Sequence, residues 1–174
     1  MESAVKFVDK VVGKIEKWFT AFPHLPASGR KWLGENIWWL VAVAAVFSTI
    51  GSLVQINRLF SVISITSGSS PWAYYYIGYT WWSVIVALIA VVLFVVTTLV
   101  LWLAVKPLQN KTKRGWTILF LALLLELVAV VVPYVLEFSL YSIIGVVTAI
   151  IGIGIGAYFM FEMRSHFAAP KRKK

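Results

Sequence analysis

The sequence predicts an all-α integral membrane protein, a four-transmembrane-helix bundle preceded by an N-terminal amphipathic interfacial helix. Three observations lead there. Four stretches are long and apolar enough to cross a bilayer. The 174 residues are 60% hydrophobic and only 13% charged, against roughly 25% charged in a soluble domain. All but one of the 16 Lys and Arg fall on one side of a four-crossing topology. A high aromatic share, with nine Trp, and the lack of Cys exclude a disordered tail, a disulfide-stapled secreted domain and a Cys-ligated metal site.

Residues 1–36 precede the first span. At 100° per residue, Val5, Phe7, Val8, Val11, Val12, Ile15, Trp18, Phe19 and Phe22 fall on one half of a helix over 4–22. Lys6, Asp9, Lys10, Lys14, Glu16 and Lys17 fall on the other. Such a helix, basic on its polar face, suits the headgroup plane of an anionic inner leaflet; packing of its apolar face on a partner protein is the alternative. The segment AFPHLPASGR is expected to break this helix at two prolines and a glycine. No charged-then-apolar leader pattern opens the chain, so residue 1 is expected in the mature protein.

The membrane region, 37–163, holds spans at about 37–58, 81–105, 116–136 and 141–163. A bilayer core about 30 Å thick needs roughly 20 apolar helical residues. Lipid offers backbone groups no partner, so each crossing is helical throughout. Continuous rather than alternating apolar runs argue against a β-barrel. The first outer connection, about Leu59 to Thr80, should turn at SGSSP; the second, around Glu137 to Leu140, is tight enough to make spans three and four an antiparallel hairpin. Pro133 should kink the third span or free a carbonyl there. The basic tail, 164–174, ends in AAPKRKK and should be drawn to anionic lipid.

Positive residues favour the cytoplasm. Lys6, Lys10, Lys14, Lys17, Arg30 and Lys31 precede span one, Lys106, Lys111, Lys113 and Arg114 join spans two and three, and Arg164, Lys171, Arg172, Lys173 and Lys174 follow span four. Only Arg58 faces the other way. The expected location is therefore the cell (cytoplasmic) membrane, multi-pass, with both termini cytoplasmic. Trp32, Trp38, Trp39, Trp102, Trp116 and Tyr158 would then mark the inner interface. The run PWAYYYIGYTWW reads as an outer aromatic belt or, more sharply, as a docking surface for an outside ligand.

Helices in lipid associate where small side chains let backbones approach. Span four carries the clearest such stripe: Ser142, Gly145, Ala149, Gly152 and Gly156, with a strict GxxxG from Gly152 to Gly156. That face packs either inside the monomer or against a second copy. GIGIGA also fits a dinucleotide fingerprint on paper, but no strand precedes it. The sequon Asn110-Lys111-Thr112 lies on the expected cytoplasmic side and should stay unmodified.

Glu126 is the one charge near the middle of a span, about ten residues from either end. An ionisable group at that depth costs roughly 2.5–3.5 kcal/mol on insertion scales and usually faces the bundle interior. No Lys or Arg stands at a similar depth to pair with it. At 1.5 Å per residue, Ser48 and Thr49 on span one lie at similar height and Thr97 on span two lies within a turn. This is a proton-carrying or cation-coordinating site of a small carrier, or a polar clasp fixing helix register. No P-loop, HExxH, carboxylate pair or nucleophile–base pair is visible, so no enzyme, cofactor or metal site is expected. His24 and His166 read most simply as surface residues.

The segment YFMFEMRSHF (158–167), together with the amphipathic start and the FPHLP loop, resembles uncharacterised small multi-span membrane proteins of reduced-genome candidate-phyla bacteria. The resemblance implies no activity. The favoured function is a non-enzymatic membrane scaffold or subunit acting through helix packing and lipid contact, with itself or another membrane protein as partner and no nucleic acid. The alternative is a small proton- or cation-coupled transporter or channel built on Glu126.

Overall fold

The computed structural model describes residues 12–15, 19, 22–68, 81–136 and 140–167, with side chains for all of these but 140–142. Lys6, Lys10, Lys17 and Trp18, most of the aromatic run and the tail from 168 lie outside the described residues. Four helices follow one another: α1 (Ala27–Thr66), α2 (Trp81–Gln109), α3 (Lys113–Leu136) and α4 (Leu140–Glu162), then a 3₁₀ turn (Arg164–Phe167). Each contains an 18-residue window of mean hydropathy between 2.1 and 3.3 with at most two charged residues. No strand occurs among the described residues. The chain is an all-α four-helix membrane bundle.

Helix α1 is longer than its apolar stretch. It starts directly after Pro26, whose ψ of 148° is extended and whose carbonyl accepts the first helical bond from the Arg30 N–H at 3.0 Å. Pro23 and Pro26 break the chain as expected. Gly29 does not, because a single glycine costs a helix only about 1 kcal/mol. At its far end α1 passes Asn57 and Arg58 and stops at Thr66, where Gly68 takes a φ of +72° and its N–H bonds the Ile65 carbonyl. A glycine there adopts the left-handed backbone without Cβ strain. The outer connection therefore starts at Ser67, not Leu59.

Between α2 and α3 the turn is built by Thr112. Its N–H and Oγ1 both donate to the Pro107 carbonyl, and its Oγ1 accepts from the Gly115 N–H at 3.2 Å, capping α3. Both Pro107 and Pro133 lie inside continuous helices.

Along the bundle α1 packs on α2, α2 on α3 and α3 on α4, while α1 and α4 make at most marginal contact among the described residues. One side is thus open. The densest core sits at the end where α1 and α3 begin and α2 and α4 finish, the basic end. There Val41, Leu108, Trp116, Phe120, Met160 and Phe167 bury together. Val12 is fully buried in the same cluster, with Ile15 and Phe19 packed on it. Val12, Ile15 and Phe19, the described part of that apolar face apart from Phe22, therefore rest on the chain's own bundle, an outcome besides lipid and a partner protein.

One interface assignment changes. Trp116 is not a belt residue: it is 3% exposed, stacked on Phe120, and donates from Nε1 to the Met160 carbonyl at 3.0 Å. Tyr158 donates to the Pro23 carbonyl at 2.6 Å. Both rings find protein partners because the end of α4 packs against the start of α3 and the FPHLP loop. Trp32, Trp39 and Trp102 do stay exposed.

Candidate functional site, a lateral groove with a clasp at its basic end

The open side forms a groove. Two cavities of about 380 Å³ each lie along it and share Ala44 and Leu101. The one nearer the basic end is apolar, bounded by Leu33 and Ile37 of α1, Leu123 of α3 and Gly156 and Met163 of α4. The other reaches mid-span between Phe47 and Ser48 of α1, Thr97 of α2 and Glu126 of α3.

Glu126 is exposed on this groove, not enclosed by the bundle. The reason is the missing closure between α1 and α4, which leaves its face of α3 uncovered. No hydrogen bond or ion pair reaches its carboxyl from the described residues. Of the partners expected by depth, Ser48 and Thr97 line its cavity. Thr97 nonetheless donates to the Leu93 carbonyl of its own helix at 2.9 Å. Thr49 faces elsewhere: it donates to the Ala45 carbonyl and accepts from Trp102 Nε1 at 3.1 Å.

The polar clasp between spans one and two is a hydroxyl cluster instead. Ser48 Oγ and Thr98 Oγ1 lie 2.6 Å apart, and Ser52 Oγ lies 3.0 Å from the same Thr98 oxygen. Ser52 and Thr98 are both buried. Sequence reasoning took Thr97 and passed over its neighbour Thr98; the signal available was the adjacent pair, which always presents one hydroxyl to each of two faces.

The small-residue stripe of α4 divides. At Gly145 an added Cβ would stand 2.8 Å from the Tyr134 hydroxyl, so α3 and α4 touch closely there. Ala149 is half-buried. Gly152 is exposed with nothing within 4 Å of a Cβ position, and Gly156 meets only Leu123, at 3.7 Å. Toward the basic end the stripe packs more loosely on α3, and Gly156 becomes part of a groove wall.

A second polar feature closes the basic end. Glu162, the last residue of α4, is 9% exposed. His24 Nδ1 lies 2.6 Å from its Oε1, the Leu25 N–H donates to its Oε2 at 3.0 Å, and Arg30 Nε stands 4.0 Å away. With the Tyr158 bond to Pro23, the FPHLP loop is tied to the end of α4 at three points. His24 keeps 58% of its side chain exposed while making this bond. His166 is not a free surface residue: its ring covers Gly34, where a Cβ would lie 2.6–2.9 Å from it, and its Nδ1 is buried without a hydrogen-bond partner. Arg164 sits over the Trp116 ring at 5.2 Å.

Among the described residues no three His, Cys, Asp or Glu gather in a way that could hold a metal ion. No family model, curated protein or solved structure matches the chain.

Proposed function

We propose that the protein is a non-enzymatic scaffold or subunit of the cell (cytoplasmic) membrane, with both termini cytoplasmic, that associates laterally with other transmembrane segments. The observation that carries this is the glycine wall of α4 left open at Gly152. Backbone exposed by glycine gains van der Waals contact only when another helix approaches it, and that contact is a main source of helix association in lipid. Anionic lipid is the second partner, drawn by the basic residues at the ends of the helices.

The test is chemical cross-linking in native membranes. Wild-type protein should give a defined cross-linked species, and Gly152→Leu should lose it while its helical circular dichroism stays unchanged. An identical pattern in the variant overturns the reading.

A carrier is favoured by one observation, the cavity in front of Glu126. In that case proteoliposomes should show proton or cation flux that Glu126→Gln removes. Absence of wild-type flux discards it.

A further inference from the structure

We infer that the groove takes a single transmembrane helix of another protein, one that carries a Lys or Arg at mid-bilayer and pairs it with Glu126. This rests on the subunit reading and names the partner's chemistry.

The length of the groove is the first argument. Its α1 wall runs from Leu33 to Ser48, a rise of about 22 Å at 1.5 Å per residue. About 16 Å of that, from Ile37 on, falls in the expected span, roughly half of a hydrocarbon core about 30 Å thick, which matches several turns of a helix lying along it. The opposite wall supports the same occupant. Gly156 borders the groove and Gly152 continues its row with open space beside it, so a neighbouring backbone can approach closely.

Charge names the partner. Glu126 presents a carboxyl to the groove at a depth where ionisable side chains pair with one another or with backbone groups. None of the described residues does so here. A second copy of this chain brings no basic residue to that depth: Arg58 lies toward the far end of α1, and the remaining Lys and Arg flank the spans. A phospholipid amine stays at the interface, about 15 Å from Glu126. The complementary cation therefore arrives on a different transmembrane chain.

The experiment uses the full chain in phosphatidylcholine vesicles, labelled with an acceptor dye, and leucine-based transmembrane peptides labelled with a donor. One peptide carries a central Lys and the other a central Leu. The Lys peptide should associate about tenfold more tightly than the Leu peptide, a difference of about 1.4 kcal/mol. Glu126→Gln should erase that preference, and Ala44→Phe, which fills the groove without touching the charge, should weaken both peptides. Equal binding of the two peptides, or a Lys preference that survives Glu126→Gln, overturns the inference. So does displacement of the Lys peptide by equimolar dodecylamine, which would make the occupant an amphiphilic amine. If these arms fail while the cross-link that depends on Gly152 persists, the subunit reading stands; if both fail, it falls too.

Discussion

Gly115 is where one missing side chain lets α3 leave the turn after α2. An added Cβ would lie 2.6 Å from the Leu108 nitrogen and the Pro107 carbonyl carbon, backbone atoms that cannot rotate away. Gly115→Ala should therefore cost about 1–3 kcal/mol as overpacking, read as a lower thermal midpoint in detergent. Gly29→Ala, in α1 with nothing within 4 Å, should instead gain about 0.5–1 kcal/mol from helix propensity. Glu162 carries a different kind of cost. Glu162→Gln removes one carboxylate oxygen from a buried acceptor that serves His24 and the Leu25 N–H. Bonds to charged groups contribute about 1.5–3 kcal/mol. The variant should lose stability in that range, and hydrogen exchange should rise at the Leu25 amide while amides in the middle of α2 keep their protection. Of the two acids that matter, the sequence displays only one. Glu126 stands out because apolar residues flank it on both sides. Glu162 sits at a span end among Met, Phe and Arg, where a carboxylate is ordinary, and its partner His24 lies 138 positions away. Nothing local connects them.

At the scale of elements, hydropathy is strong enough to place four helices and too blunt to end them. Helix α1 has 40 residues, about 60 Å at 1.5 Å each, against roughly 40–45 Å for a bilayer with its headgroups. Its ends continue because helical bonding does not stop where apolarity does: Arg30 and Lys31 at one end, and Asn57 to Thr66 at the other, remain in the ladder. What fastens α1 to α2 is the Ser48, Ser52 and Thr98 cluster, seated beside Gly51, whose missing Cβ would stand 3.0 Å from Phe94. Hydrogen bonds between transmembrane helices average about 0.6 kcal/mol and reach about 1.7. Thr98→Val removes the interhelical contacts to Ser48 and Ser52 at nearly constant shape and should destabilise by about 1 kcal/mol. Thr97→Val, whose hydroxyl bonds only its own helix, should cost clearly less. Reversal of that order in thermal unfolding would mean that the groove-facing hydroxyl, not the clasp, holds the two spans. The same contrast explains why the depth argument found Ser48 but misdirected Thr49: height along a helix is readable from residue number, whereas the face a side chain takes depends on where its neighbours stand.

For the whole molecule, packing and charge both vary along the bundle axis and concentrate at the same end. Burial concentrates at the basic end, where Val12, Ile15 and Phe19, the FPHLP loop and the end of α4 gather around Trp116 and Phe120. The mid-span region is thinner: only 11–22% of the most apolar window of each of α2, α3 and α4 is buried inside the chain. Lipid or another helix must cover the remainder, since exposed backbone and carboxyl groups at that depth have no water to satisfy them. Every described Lys and Arg except Arg58 belongs to the basic end, and from the preference of positive residues for the cytoplasm that end is expected inside. Because the chain has no Cys, a single engineered thiol reports topology without background. Asn110→Cys, in the turn between α2 and α3, should react with a membrane-impermeant maleimide only after the cells are opened. Ser67→Cys, beyond the far end of α1, should react in intact cells. Both positions are exposed, so failure to label would reflect the side of the membrane and not burial. Adding Lys to the Ser67 side of the protein should shift the two labelling patterns toward each other if charge alone sets orientation. An unchanged pattern would place that control in the packed basic end, where Glu162 ties the end of α4 to the FPHLP loop before α1.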